Sequence, residues 1–137
     1  MIVIADTGSL YALVDRSDVW HDRVITWWSK RARNVVVPSV VLPEVTYLLQ
    51  TRIGTAAEQA FVQAAADGEF MIEPLEPDDI ARAAELLHEY ADLPLGFVDA
   101  AVVATAERLG TREILTTDRR HFGVVKPLHT RTLVLVP

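Results

Sequence analysis

The stretch Ile2-Val3-Ile4-Ala5-Asp6-Thr7-Gly8-Ser9 decides the fold class. An apolar run ends on a carboxylate, and a turn follows at once. The same ending recurs in Glu113-Ile114-Leu115-Thr116-Thr117-Asp118-Arg119-Arg120-His121-Phe122. Short apolar runs bounded by polar turn residues read as fully buried strands of a parallel sheet. In such sheets the ligand site lies beyond the carboxyl ends of the strands. The pattern therefore predicts Asp6 and Asp118 on the edge where an α/β protein does its chemistry.

Two further acids open helical patterns. Glu44 lies in Ser39-Val40-Val41-Leu42-Pro43-Glu44-Val45, and Asp99 in Gly96-Phe97-Val98-Asp99-Ala100-Ala101. Each sits on an apolar stretch, where an unpaired carboxylate is costly. The flanking sequence offers no matching set of Arg or Lys, so a bound divalent cation is the economical partner. Mg²⁺ and Mn²⁺ take carboxylate and water oxygens. Two such ions ~3.5–4 Å apart can clamp the attacking and leaving oxygens of a phosphodiester, with a metal-bound water as nucleophile. Each acid also has a structural explanation. Asp6 can cap a helix, Asp118 can hold a turn, Asp99 can favour a helix N-terminus, and Glu44 can face solvent.

Outward from these anchors, strands are predicted at 2–5, 34–37, 70–73, 113–117 and 132–136. A short helix should run from Asp6 to about Val14. Asp18 is the predicted cap of the next, which carries Val19, Val24, Trp27 and Trp28. Ser39 is predicted to open another, with Pro43 confined to its first turn because an interior proline would break it. Thr55-Ala56-Ala57-Glu58 reads as a capping box, with Gly68 as the stop. Pro77-Asp78-Asp79 opens a helix to about Ala91, and the last long helix covers about 97–109 before Gly110. Strand–helix alternation implies a three-layer α/β/α domain: a mostly parallel sheet of about five strands covered on both faces. The helical hairpin between 39 and 68 is an insertion into that alternation.

The 137 residues fit one domain spanning the chain, and half of them are apolar. No apolar run approaches the ~20 residues needed to cross a membrane, and the start lacks the basic region of a signal peptide. With no cysteine, thiolate metal sites and cysteine nucleophiles are excluded, which fits a cytoplasmic protein. The net charge of −6 argues against a general nucleic-acid binder. It is unevenly spread, however. Residues 58–92 hold ten acids against Arg82 alone. Residues 16–33 and 108–137 are locally basic, so one face can still hold a polyanion. Arg119 and Arg120, directly after Asp118, are the best-placed phosphate contacts. Trp27 and Trp28 can stack bases, but adjacent tryptophans on an amphipathic helix more often serve core and interface. His21, His88, His121 and His129 show no metal-ligand spacing.

Taken in order, Asp6-Thr7-Gly8-Ser9-Leu10-Tyr11-Ala12, Pro38 to Val45, Phe97-Val98-Asp99-Ala100 and Ile114 to Phe122 resemble the successive motifs of PIN-domain ribonucleases. More narrowly, the chain resembles the VapC-type toxins of toxin–antitoxin pairs. That resemblance covers nearly the whole chain. It implies a Mg²⁺- or Mn²⁺-dependent endoribonuclease whose metal-binding and catalytic acids fall on Asp6, Glu44, Asp99 and Asp118. It puts small hydroxyl positions on Thr7 and Thr116, and an acid that recurs in some members on Asp92. The family often has Ser where this chain has Gly8. A cognate antitoxin and a homodimer are implied in the same way, and the aromatic residues Trp20, Trp27, Trp28, Tyr47, Phe61 and Phe70 offer surface for such contacts. Two other readings stay open from the residues. One is a Mg²⁺-dependent phosphatase or receiver-like phospho-acceptor, which also uses an Asp at a strand end. The other is a non-catalytic RNA-binding or adaptor domain on the same fold.

Overall fold

A computed structural model describes all 137 residues. Five strands, β1 (Val3–Ala5), β2 (Val35–Pro38), β3 (Met71–Glu73), β4 (Glu113–Leu115) and β5 (Val134–Val136), form one sheet in the order β3-β2-β1-β4-β5. Every neighbouring pair is parallel. Between the strands lie α1 (Thr7–Val14), α2 (His21–Arg31), α3 (Val41–Arg52), α4 (Thr55–Ala66), α5 (Pro77–Glu89), α6 (Phe97–Leu109) and α7 (Arg119–Val124). Helices α1 to α4 pack among themselves, while α5 and α6 pack on each other. The chain crosses one way from β1 through β2 to β3 and returns the other way to β4 and β5; with right-handed crossovers, that reversal moves the helices to the other face.

The connections leave β1 and β4 in opposite senses, towards β2 and β5. The register of β1 with β4 pairs Ile4 with Ile114 and Ala5 with Leu115. Residues 3–5 and 114–115 are buried without exception, as expected for strands covered on both faces. Helix α6 carries a buried run from Ala100 to Ala106, and its small residues let it sit close on β1 and β2. Gly110 closes it at φ 70°, a left-handed turn that glycine adopts without strain.

The predicted strands and helices all appear, with the hairpin at 39–68 formed by α3 and α4. Three predicted caps are placed differently. Asp18 Oδ1 accepts from the Trp20 N–H (2.8 Å) and shapes a turn, so α2 begins only at His21. Ser39 Oγ accepts from the Leu75 N–H (3.1 Å), which ties the end of β2 to the segment after β3 instead of capping α3. Thr55 is already inside α4, whose cap is Gly54. Much of the aromatic surface is taken up internally. Phe61 and Phe70 are buried 5.6 Å apart, and Trp28 meets Phe70 edge-on at 6.1 Å. Tyr47 alone of that group is largely exposed.

Candidate active site

The acids predicted from the strand endings lie at the switch between β1 and β4. Such a point opens a crevice because neighbouring crossovers leave in opposite directions. The Asp6 N–H continues the ladder by donating to the Leu115 carbonyl (3.1 Å). Its side chain then caps α1, with Oδ1 accepting from the Ser9 N–H at 2.8 Å. Oδ2 accepts from the Thr116 hydroxyl. That hydroxyl in turn accepts from the Asp118 N–H at 2.8 Å. Thr116 is fully buried and Asp6 is 3% exposed, so one hydroxyl links the first acid to the backbone of the last.

Asp118 caps α7, with Oδ1 accepting from the His121 N–H at 2.9 Å. Its Oδ2 lies 2.5 Å from His121 Nδ1. Asp99, in the first turn of α6, joins them: ligand atoms of Asp99, Asp118 and His121 lie within 4.8 Å of one another. Glu44 is exposed in the first turn of α3, outside this trio. Its charge is nevertheless felt at Asp99.

Burial and mutual repulsion show in the proton affinities. Loss of solvent pushes Asp6 up to about 6, against the pull of the Thr116 and Ser9 hydrogen bonds, and the Asp99 charge adds to the rise. Asp99 is also raised, first by burial and then by Asp118, with Glu44 contributing further. These are carboxylates held together at a cost. No Lys or Arg side chain bonds to Asp6, Asp99 or Asp118. Clustered carboxylate oxygens with an imidazole suit a divalent cation. The Thr7 hydroxyl, buried beside Asp6 in sequence, has no partner in the protein.

The remaining expected residues divide. Arg119 is engaged within the protein: it donates to the Leu135 carbonyl (2.9 Å) and to the Pro137 oxygen (2.6 Å), and lies over the Trp20 ring. Arg120 is exposed and makes no ion pair or hydrogen bond. Asp92 is exposed in the loop before α6. Gly8 has a steric reason: a Cβ there would lie 2.8 Å from Thr117 Oγ1. Sequence reasoning missed His121, because His spacing alone gives no ligand pattern. The available signal was the i, i+3 relation to Asp118, which one helical turn converts into contact.

This arrangement is an α/β/α domain with an acidic cluster at the switch point of its parallel sheet. The chain belongs to the PIN domain family, whose profile matches residues 3–126. It is 35% identical over 135 residues to Ribonuclease VapC26 of Mycobacterium tuberculosis, covering 98% of this chain and all of that protein. The crystal structure of Mycobacterium tuberculosis VapC20, a Sarcin-Ricin loop cleaving toxin, superposes with a TM-score of 0.84 at 24% identity over 94% of this chain and 98% of that one. DNA-bound VapBC from Salmonella typhimurium gives a TM-score of 0.73 at 14% identity, with 98% and 100% covered.

Proposed function

We propose that this PIN-domain endoribonuclease hydrolyses RNA phosphodiesters at the cluster of Asp6, Asp99, Asp118 and the outlying Glu44, with Mg²⁺ or Mn²⁺ bound there, as the toxin of a toxin–antitoxin pair. The observation that carries the reading is the approach of Asp99, Asp118 and His121 beside a buried Asp6, with no Lys or Arg paired to any of the three acids. When bound, the cation supplies charge for the phosphate oxygens and makes water a better nucleophile at neutral pH.

The chain's own groups do the positioning. The Thr116 hydroxyl fixes Asp6 against the start of α7. The cap on α7 fixes Asp118, and His121 Nδ1 is held against its second oxygen. That contact occupies Nδ1 and leaves Nε2 without a partner in the protein. Arg120, two positions after Asp118, exposed and without an ion pair, is the better phosphate contact of the two arginines. Thr7 offers its unpaired hydroxyl to substrate or water.

A phospho-acceptor fits less well. Receiver-like proteins order their strands 2-1-3-4-5, whereas this sheet runs β3-β2-β1-β4-β5. Asp6 is also 3% exposed with both oxygens bonded, a poor nucleophile toward a phosphate donor. The presence of all four acids weighs against a purely adaptor role.

The same proposal includes a cytoplasmic site of action, an antitoxin partner and a homodimer. No helix is long and apolar enough to cross a membrane. VapBC structures are among the solved neighbours, and Tyr47, Ile53 and Val62 on or beside α3 and α4 are exposed apolar residues suited to an interface. Cleavage of RNA by the purified chain before and after exhaustive chelation tests the activity. Undiminished cutting without divalent metal would sink it. Sedimentation of the chain tests the dimer, which a monomer at working concentration refutes. Co-expression with an adjacently encoded small protein tests the antitoxin: failure to suppress cleavage counts against it.

A further inference from the structure

We propose that the outer face of α2 binds an unpaired segment of the RNA substrate, stacking a base at Trp27 and holding phosphates on Arg23, Lys30 and Arg31. This inference rests on the ribonuclease reading above. It begins with the spacing of Arg23, Trp27 and Lys30, which recur at i, i+4 and i+7 on one side of the helix. The opposite side carries Val24, which is buried, and Trp28, which packs on Phe70. With Asp22, Thr26, Arg31 and Pro137, these residues line a cleft of about 470 Å³.

The chemistry of the cleft is that of a single-stranded nucleic-acid site. Three cations face one acid, Asp22, on a chain of net charge −6. Arg31 is steadied by Glu113 (2.9 Å) and lies over the Trp27 ring at 5.2 Å. Arg23 lies over Trp20 at 4.0 Å, and Arg119 lies over the same ring at 5.2 Å. Each of these indoles carries a guanidinium over its ring, and aromatic rings and guanidinium planes are both surfaces on which unpaired bases stack, with cations tracking the backbone. A partner helix wants several apolar anchors in a groove. Here only Trp27 and Pro137 are apolar, while the exposed Ile25 of α2 does not line the cleft.

Arg119 connects this cleft to the acids. It follows Asp118 directly and bonds the backbone oxygen of Pro137, which forms part of the cleft wall. One side chain therefore reaches from the cap of α7 to the α2 face. A strand whose phosphate lies at Asp118 has a continuous basic and aromatic path past Trp20 and Arg23 to Trp27.

The test is fluorescence anisotropy of a labelled single-stranded oligouridylate across a salt series, with Ca²⁺ in place of the activating metal. Cleavage by the wild type is measured separately with Mn²⁺. Lys30→Ala, an exposed side chain with no partner, should weaken binding and lower the salt slope by about one. Trp27→Ala should weaken binding by about 5- to 100-fold, and Trp27→Phe should keep most of it. Trp27 is half-buried, so Lys30→Ala and Trp27→Phe decide the matter if Trp27→Ala unfolds. A wild type that neither binds nor cuts RNA overturns the ribonuclease reading and this site with it. Wild-type cleavage with unchanged affinity and slope in Lys30→Ala and Trp27→Ala overturns the α2 site alone. That is also the result expected if the cleft serves a protein partner.

Discussion

The hydroxyl of Thr116 donates to the carboxylate of Asp6 from the neighbouring strand end, and in the same position accepts from the backbone of Asp118. A single buried side chain thus sets the spacing of two acids that are far apart in sequence. Thr116→Val keeps the shape and removes the bond. It leaves a buried carboxylate oxygen and a backbone N–H without this partner, at a cost of about 1–3 kcal/mol. Outer groups that orient metal ligands are commonly worth about 10–100-fold in affinity or activity. Calorimetric Mn²⁺ titration and thermal melting should show both losses. Unchanged Mn²⁺ affinity in a stably folded Thr116→Val would remove Thr116 from the site.

Asp6 should make the metal-free protein less stable as pH rises. Its carboxyl is pushed from 3.8 up to about 6 by burial. The folded state therefore holds the proton more tightly than the unfolded chain, and stability falls as pH climbs through the window between about 4 and 6. The full effect is roughly 3 kcal/mol. Asp6→Asn removes the titrating group, so the mutant should be more stable than the wild type at neutral pH. The gap should close below about pH 4. Divalent metal should shrink it too, by stabilising the wild type through binding. Parallel melting curves of the two proteins at every pH would refute this.

Much of this site could be read from the chain because its parts are local. An apolar run that ends on an acid marks a buried strand and its carboxyl end together, so Asp6 and Asp118 came with β1 and β4. Asp99 was legible for a similar reason, lying just before the buried run of α6. The misses share a physical origin. Ser39 was predicted as a cap but finds Leu75, 36 positions away. Arg119, expected beside phosphate, also bonds the backbone oxygens of Leu135 and Pro137, partners 16 and 18 positions away. A side chain's partner depends on tertiary neighbours that local propensity does not contain. His121 was lost differently, because the six-residue helix that brings it to Asp118 is too short to announce itself by periodicity.

Gly8 and Thr117 should behave as a coupled pair. A Cβ at position 8 meets Thr117 Oγ1 at 2.8 Å, closer than such contacts occur. Gly8→Ala should therefore destabilise by about 1–3 kcal/mol as overpacking. In a Thr117→Ala background most of that penalty should vanish. A double-mutant cycle from chemical denaturation measures the coupling. Strict additivity would show that the crowding is relieved elsewhere.

Away from the acids, Arg108 is a structural centre. It pairs with Asp79 (2.9 Å), which is 2% exposed, and with Glu73 (2.7 Å). These partners hold the Arg108 guanidinium's proton well above its ordinary affinity. Arg108→Ala strands the Asp79 charge and should cost roughly 3 kcal/mol. At temperatures where the variant stays folded, its RNA cleavage should match the wild type. A specific loss of cleavage without loss of stability would place Arg108 in substrate binding.

The central claim is that the acids at the β1–β4 switch hold the divalent ion that RNA cleavage needs. The most direct measurement is Mn²⁺ binding by calorimetry on chelator-stripped protein, paired with RNA cleavage in the same samples, for wild type and Asp99→Asn. Asp99→Asn is nearly isosteric and relieves like-charge repulsion, so the fold should survive. The account predicts that the wild type binds Mn²⁺ and regains cleavage with it. The folded Asp99→Asn protein should bind at least about tenfold more weakly and lose cleavage, because removing a ligand should cost no less than the roughly 10–100-fold seen on removing a ligand's hydrogen-bond partner. Equal Mn²⁺ binding and equal cleavage by the two proteins would contradict it.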